Sequence, residues 1–136
     1  MIVKQFKLSL PEKDKLIRIK SRTGIQNWNV ICRWALCWSL NEESIPGGVD
    51  PASDSNVEMT WLTFAGEYHE IFEALIRQRC INDGLGTAQE TLVKYFRLHL
   101  CRGINHFSTR DVLKSCQDLI ASIKEYNRGG RYGQRE

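Results

Sequence analysis

The stretch that decides the fold lies near the start of the chain and reads Gln5-Phe6-Lys7-Leu8-Ser9-Leu10-Pro11. Within it Phe6, Leu8 and Leu10 alternate with polar residues, which is the period of a strand with one buried face. Pro11 cannot donate to a strand ladder and suits the first turn of a helix. The stretch therefore predicts a short N-terminal strand followed at once by a helix, with the three apolar side chains turned inward.

Two helices are predicted after the strand. The first runs from Glu12 to Thr23, where Gly24 is placed to end it, and Asn27 can cap the second. The second helix is apolar on nearly every side, and such a helix must be buried nearly all round. Because one small domain rarely buries a helix so close to its terminus, we expect self-association through it. The expected oligomer core consists of Phe6, Leu8, Trp28, Ile31, Trp34 and Trp38.

Residues 1–41 thus predict the strand–helix–helix layout of the ribbon-helix-helix (Met repressor-like) fold. In that fold the strands of two chains pair, so the ribbon exists only in a dimer. The outward side chains of the ribbon, here Gln5, Lys7 and Ser9, would face the major groove of DNA. Since specific base reading favours Arg, Asn and Gln, this set predicts little sequence preference.

The middle of the chain predicts a loop and then a broken helix. The loop covers residues 41–56 and is rich in Pro, Gly, Ser and Asp. Ser55 and Glu58 then have the spacing of a capping box at the start of a helix. Gly66 is expected to interrupt this helix, and an apolar stripe at helical spacing continues beyond it as far as Cys80.

Two more helices complete the predicted domain. Thr87 and Glu90 form a second capping-box pair, and Thr109 can cap a last helix. The basic tail, residues 128–136, has no periodicity and is expected to be disordered. We therefore predict a single helical domain over residues 1–127. Its fold class is mainly α, with one N-terminal strand followed by about five helices, and it is expected to be oligomeric.

The composition is that of a globular protein. The chain has 136 residues, of which 42% are hydrophobic and 26% charged, and this balance excludes wholesale disorder. No apolar run approaches the ~18–20 residues of a membrane helix, and no apolar leader follows Met1, so we expect a cytoplasmic protein with no membrane partner. The five cysteines include no CxxC pair, which favours buried free thiols over a zinc or redox site.

Charge is segregated along the chain. The net charge is only +3, but residues 1–40 carry +6, residues 41–66 carry −5 and residues 87–136 carry +4. A basic block beside an acidic one suggests that one face meets a polyanion, although a solvated surface is the simpler alternative. Lysine suits sequence-independent phosphate contact because it is a flexible point charge. The candidate DNA-binding residues are Lys4, Lys7, Lys13, Lys15, Arg18, Lys20 and Arg22.

One acidic cluster surrounds a histidine. His69 lies among Glu67, Glu70 and Glu73, a set that could hold a divalent metal or supply a general base. No second histidine stands at the spacing of an HExxH motif, so a solvated helix face is the favoured interpretation. We therefore predict no metal site, no cofactor and no catalytic residue here.

Two further motifs are weaker. His99 and His106 flank Cys101, but these residues are too few and too widely spaced to ligate an iron–sulfur cluster, and packing at a subunit or partner interface is favoured. The turn over residues 84–87 (Gly-Leu-Gly-Thr) precedes a helix, yet it lacks a lysine and a preceding strand, which excludes a phosphate-binding P-loop.

Several strings of the sequence resemble the DNA sulfur modification protein DndE family. The resemblance lies in order over about residues 1–125, and the tail after Arg128 falls outside it. The matching strings are residues 22–30, 32–35, 55–59, 66–71, 83–87 and 96–100.

This resemblance implies a bacterial protein of the DNA phosphorothioation system, in which sulfur replaces a non-bridging phosphate oxygen. In that system a cysteine desulfurase and an iron–sulfur partner supply the chemistry. The resemblance implies that this member is an accessory protein that forms tetramers, binds duplex DNA, nicked duplex included, and contacts other sulfur modification proteins. The family has no catalytic motif to place on these residues.

The expected function is therefore a non-enzymatic DNA-binding accessory subunit that assembles as a dimer of dimers. Three alternatives stay open. A ribbon-helix-helix repressor would show a palindromic operator and a large specificity ratio. A metal-dependent nickase would depend on His69. A pure scaffold would bind no DNA and would dock through the acidic loop, residues 42–58.

Overall fold

The computed structural model describes residues 1–109, 117–118 and 120–121, and it is mainly helical with a short N-terminal strand, as the sequence predicts. Five α-helices fall within the described part of the chain, together with two strands and one 3₁₀ turn. The elements are β1 (Gln5–Lys7), α1 (Leu10–Thr23), α2 (Trp28–Asn41), β2 (Glu58–Thr60), α3 (Trp61–Ala65), the 3₁₀ turn (Gly66–Tyr68), α4 (His69–Asn82) and α5 (Gln89–Ser108).

The N-terminal strand pairs within its own chain. β1 runs antiparallel to β2, with Phe6 opposite Met59 and Lys7 opposite Glu58. The pairing continues past the strands, because Leu8 N donates to Val57 O at 2.9 Å. The strand pairing expected between two chains is thus made inside one chain, since residues 57–60 supply the hydrogen-bonding groups that a second copy would supply in a ribbon.

Helix α1 begins earlier than predicted, at Leu10. Ser9 is the N-cap: Ser9 Oγ accepts from Glu12 N at 3.2 Å, while Glu12 Oε1 accepts from Ser9 N at 2.9 Å. The expectation of an inward Leu10 and an outward Ser9 is therefore wrong. Leu10 is 49% exposed and Ser9 only 6%, because the capping box converts the end of the predicted strand into the first turn of a helix. Gly24 ends α1 in the left-handed conformation, as predicted.

Helix α5 is the centre of the domain and packs against α1, α2 and α4. Its crossing with α2 is very close. A Cβ atom added to Gly103 would lie 1.9 Å from the carbonyl oxygen of Ala35, so only glycine fits at this point. The N-cap of α5 is Ala88 without a side-chain bond, and the capping box predicted for Thr87 and Glu90 is not formed.

The segment after the long loop differs from the prediction. Glu58 lies on β2 and does not begin a helix; Ser55 Oγ instead accepts from Val57 N at 3.0 Å in a local turn. The actual cap of α3 is Thr60, whose hydroxyl accepts from Thr63 N at 3.0 Å. The predicted break at Gly66 is confirmed, since this residue ends α3 with a positive φ of 64°.

The core is aromatic where the strand meets the helices. Phe6 contacts Phe64 and Phe96 edge to face, with ring centroids 5.6 and 5.0 Å apart, and Trp61 lies 5.3 Å from Phe96. Trp61, Phe64 and Phe96 are fully buried. These rings hold β1, α3 and α5 together, and such pairs contribute about 0.5–1.5 kcal/mol each beyond the area they bury.

None of the helices in the described part of the chain is long and apolar enough to cross a lipid bilayer. Of the last predicted helix only residues 117–118 and 120–121 are described, and these are helical; the tail over residues 128–136 lies outside the described residues. The predicted domain boundary at residue 127 stays a prediction for the same reason.

Candidate nucleic-acid interface

Helix α1 carries most of the predicted DNA-binding residues on two flanks. Its buried face consists of Glu12, Leu16, Ile19 and Thr23. Residues seven apart lie on the same side of a helix. Lys13 and Lys20 therefore share one flank of this face, and Lys15 and Arg22 share the opposite flank.

The first flank borders the β2 segment and the start of α2. Lys13 Nζ donates to Asn56 Oδ1 at 2.7 Å, and Lys20 Nζ lies 6.0 Å from the ring centroid of Trp28. Both contacts hold a lysine against a neutral group, so the positive charges are positioned and not neutralised.

The second flank borders the end of α5. Lys15 Nζ donates to Asn105 Oδ1, and Arg22 Nη1 donates to Ser108 O at 2.9 Å. Arg18 is exposed on the outer side of α1. The four ion pairs found within residues 1–109 involve no cation of α1.

The remaining two candidates lie at the strand. Lys4 is exposed just before β1, and its carbonyl accepts from Trp61 N at 2.9 Å. Lys7 is half-buried and stands directly opposite Glu58 on β2, where opposite charges attract across the strand pair. The predicted basic block is thus divided among a strand end and two flanks of α1.

A groove that sequence reasoning missed lies beside the first flank. It has a volume of about 410 Å³ and lies between the start of α2 and the β2–α3 segment. We call it the Trp28 groove; its lining includes Lys20, Trp28, Glu58 and the amide residues Gln26, Asn27, Asn29 and Asn56. The signal in the sequence is the run Gln26-Asn27-Trp28-Asn29, whose local pattern indicates only the start of a helix.

The predicted oligomer-core residues fall into two groups. Phe6, Leu8 and Ile31 are buried in the core of the single chain, at 7%, 0% and 2% exposure. A second copy is therefore not required to shield them. Trp28, Trp34 and Trp38 are half-buried at the edge of the core, and the Trp38 ring stacks on His106 with centroids 3.7 Å apart.

The acidic cluster around His69 is dispersed in the fold. Glu67 and Glu70 are exposed, and Glu73 accepts a hydrogen bond from Arg77 Nη2 at 3.1 Å and lies 3.5 Å from the amino group of Met1. In residues 1–109 and the few described beyond them, no three His, Cys, Asp or Glu side chains converge as a metal site would require.

A buried polar cluster joins α2, α4 and α5. Arg102 Nε donates to Ser39 Oγ at 2.8 Å, and Ser39 Oγ lies 2.8 Å from Nδ1 of His99. Burial and the nearby charges of Arg79 and Arg102 lower the pKa of His99 to about 4. This imidazole is therefore neutral at physiological pH. The sequence favours packing at a subunit or partner interface for it, whereas His99 packs between helices of its own chain.

The thiols in the described part of the chain are poorly reactive. Cys32 and Cys80 are buried, and burial raises the pKa of each of these two thiols above its ordinary value. Cys37 is exposed and Cys101 half-buried, which corrects the expectation of buried thiols at these two positions, although partial desolvation raises the pKa of each. Since the thiolate is the nucleophile and the metal ligand, these positions do not resemble reactive cysteines.

Comparison with known proteins identifies relatives of this fold. A family model described as DNA sulphur modification protein DndE matches residues 5–115. No curated protein matches the chain.

Two solved structures are similar. DndE from Escherichia coli B7A, described as involved in DNA phosphorothioation modification, shares 23% identity with a TM-score of 0.64, covering 77% of this chain and 96% of that one. A double glycine-to-lysine mutant of DndE, described as involved in DNA phosphorothioation, shares 22% identity with a TM-score of 0.58, covering 75% of this chain and 93% of that one. At these identities the two structures establish the fold, and the family model covers most of the chain. The chain belongs to the DNA sulphur modification protein DndE family.

Proposed function

We propose that this protein is a non-enzymatic accessory subunit of the DNA phosphorothioation machinery that binds duplex DNA, nicked duplex included, with little sequence preference. Family membership and the descriptions of the two similar structures support the link to phosphorothioation. Other proteins of the sulfur modification system and a second copy of this chain are the proposed partners.

The observation that carries the proposal is that cations of α1 are held by neutral oxygen atoms. Lys13, Lys15 and Arg22 are each held by a neutral oxygen, from Asn56, Asn105 and Ser108 respectively. Within residues 1–109 none of these three cations forms an ion pair with a carboxylate, so each can still neutralise a phosphate. Contacts of this kind position a protein on the duplex backbone without reading its sequence.

The surroundings of β1 support weak preference for a particular DNA sequence. Ser9, expected to face the major groove, is committed to capping α1, which leaves only Gln5 and Lys7 of the three outward positions. β1 also finds its partner in β2 of the same chain. A repressor that reads its operator with a ribbon from two chains is therefore not favoured.

The test measures DNA binding against salt concentration. The variant Lys13→Ala/Lys15→Ala removes one cation from each flank of α1. We expect weaker binding and a slope of log K against log salt that is shallower by about 0.9 for each phosphate that is no longer neutralised. The control Arg77→Ala/Lys94→Ala removes the same charge from α4 and α5 and should keep the slope. An unchanged slope in the α1 variant would reject this surface.

The alternative function, a metal-dependent nickase, can be tested directly with the same purified protein. Supercoiled plasmid incubated with the protein and a divalent cation should stay supercoiled if the protein only binds DNA. Conversion to open circles that disappears in His69→Ala would instead establish an enzymatic function.

A second candidate role, protein docking, is favoured by an exposed apolar surface on α3 and α4. Tyr68, Ile71 and Leu75 are 54%, 57% and 46% exposed, and their spacing places them on one side of the helix. Leu62 on α3 is also 54% exposed. Exposed apolar clusters of this kind mark protein contacts. We therefore propose that self-association uses the exposed surface of α4. Of the predicted oligomer-core residues, the half-buried Trp34 and Trp38 of α2 remain candidates for the interface.

The mass of the oligomer tests this surface. Ile71→Lys/Leu75→Lys should lower the mass measured by light scattering while leaving the helical circular dichroism unchanged. A matched control, Ala52→Lys/Ser53→Lys, adds the same charge at exposed positions of the loop before β2 and should keep the mass. A lower mass in both variants would show a charge effect and not an interface.

A further inference from the structure

The Trp28 groove has no role in the function proposed so far. It differs from the rest of the basic region, because four of its lining residues, Gln26, Asn27, Asn29 and Asn56, carry side-chain amides. Its volume is about 410 Å³, and it is an open groove against which a flat ligand could lie, not an enclosed pocket.

The amides of the groove retain hydrogen-bonding atoms for a ligand. Asn29 Nδ2 donates to Thr63 O at 3.0 Å, which orients the side chain and leaves its oxygen as an acceptor. Asn56 Oδ1 accepts from Lys13, which leaves its NH₂ group as a donor. Asn27 stands at the N-cap of α2, yet its side chain makes no capping bond. Paired amide donors and acceptors match the edges of nucleobases, which present both kinds of group.

Trp28 supplies a flat apolar wall. Its ring packs on the edge of the core and faces the ammonium of Lys20 at 6.0 Å. Lysine is long and flexible, so this ammonium can turn from the ring to a phosphate and free the ring for a base. Stacking of a base on an aromatic side chain contributes about 1–3 kcal/mol and tolerates any base.

The lining carries one cation, Lys20, and one carboxylate, Glu58, so its formal charges cancel and it does not select an anion. Glu58 lies in the lining, and its carboxylate repels an anion but can accept a hydrogen bond from an exocyclic amino group. Lys20 enters the lining from the α1 side, and Lys13, on the same flank of α1, donates to Asn56 of the lining. A nucleotide therefore fits with its base inward and its phosphates outward.

We propose that the Trp28 groove receives one unpaired nucleobase of DNA, stacked on Trp28 and hydrogen-bonded by the side-chain amides, with the flanking phosphates at Lys13 and Lys20. The inference rests on the proposed DNA binding and adds a site that recognises unpaired bases. An unpaired base costs less to turn out of the stack than a paired one, which would direct the protein to such positions in a duplex.

The experiment compares two short duplexes of equal length, one fully paired and one carrying a single unpaired 2-aminopurine. The protein should bind the second duplex about tenfold more tightly, as expected for one stacked base, and should change the fluorescence of the aminopurine. The variant Asn27→Asp keeps a good N-cap residue but adds a negative charge to the groove. It should abolish the preference while the affinity for the paired duplex falls only slightly.

Two control variants, Gln78→Glu and Trp38→Phe, test whether the preference depends on the groove. Gln78→Glu adds the same charge on α4, and it should keep the preference. Trp28→Phe keeps an aromatic wall and should weaken the preference only in part, whereas Trp38→Phe should leave it unchanged. Equal binding of the two duplexes, or a preference that survives Asn27→Asp, would overturn the groove but not the DNA-binding function. Failure to bind either duplex would overturn both.

Discussion

Arg97 on α5 binds both carboxylate oxygens of Glu12 on α1, at 2.8 and 3.2 Å, in an ion pair that is almost wholly buried. Glu12 is 1% exposed and Arg97 is 6% exposed. The same carboxylate accepts from Ser9 N at 2.9 Å, so one side chain both caps α1 and ties it to the central helix. The basic flanks of α1 are positioned by this contact.

Removing the charge of Glu12 should destabilise the fold strongly. Glu12→Gln keeps a residue suited to the capping box but leaves the buried guanidinium of Arg97 without a counter-charge. We expect a loss of about 3–5 kcal/mol in the free energy of unfolding, measured by urea denaturation. Glu90→Gln, at an exposed first-turn position of α5, should change this free energy by less than ~0.5 kcal/mol.

A double variant separates the charge effect from the cap. If the unpaired guanidinium causes the loss, Glu12→Gln/Arg97→Met should be more stable than Glu12→Gln alone, because no charge remains buried. A double variant as unstable as the single one would assign the loss to packing.

The crossing of α2 and α5 should not tolerate a side chain at its closest point. Gly103→Ala places a methyl group 1.9 Å from the carbonyl oxygen of Ala35, so the two helices must move apart. Overpacking of this kind costs about 1–3 kcal/mol or more, and thermal unfolding should shift to lower temperature. Gly47→Ala is the matched control, because a Cβ there meets no atom within 4 Å. Equal shifts in the two variants would contradict this account of the crossing.

Stability should fall in mild acid because of His99. Its pKa of about 4 in the folded protein lies below the ordinary value of 6.5, so the unfolded chain binds the proton more readily between these two pH values. The stabilisation is complete above pH ~6.5 and is lost as the pH falls toward 4, by about 3 kcal/mol at most.

The measurement is the free energy of unfolding at several pH values in urea. His99→Asn should flatten the loss between pH 7 and 5. His106→Asn should retain most of it: burial lowers the pKa of His106 as well, but this ring stacks on Trp38 at a half-buried position outside the arginine cluster. An unchanged pH dependence in His99→Asn would exclude this histidine as the cause.

Arg79 should control the order of the loop after α2. Its guanidinium donates to the carbonyl oxygens of Leu40 and Glu42, to Glu43 O at 3.2 Å and to Ser44 O at 2.7 Å, and it pairs with Asp83 at 2.8 Å. Lysine cannot reproduce this fork of donors. In Arg79→Lys, amide hydrogen exchange over residues 41–46 should accelerate, while exchange in α5 stays slow.

Arg77→Lys is the control for the loop, since the hydrogen bond of the Arg77 guanidinium stays within α4, to Glu73. Exchange over the loop should be unchanged in this variant. Faster amide exchange in the helices as well as in the loop of the Arg79→Lys variant would indicate that the whole protein is destabilised, and not that the loop alone has opened.

Local patterns in the sequence determined most of the elements. The alternation around Phe6, the proline after it, and the glycines at positions 24 and 66 predicted β1, α1 and the break before α4, because these signals act within a few residues. The strings shared with the DndE family indicate that family from the sequence alone, and the family model confirms it. The cationic residues of α1 are likewise evident in the sequence, although their binding of DNA stays a prediction.

Long-range packing decided the rest. β2 has only three residues and pairs with a strand about fifty positions earlier, so no local alternation of apolar and polar residues could predict it. The apolar stripe of α4 contains both buried Phe72 and exposed Ile71, because periodicity marks apolar residues but not the helix that covers them. The Trp28 groove joins side chains from three segments. The sequence thus determined what each segment prefers, and only the tertiary structure decided which segments meet, since burial and pairing depend on neighbours distant in the chain.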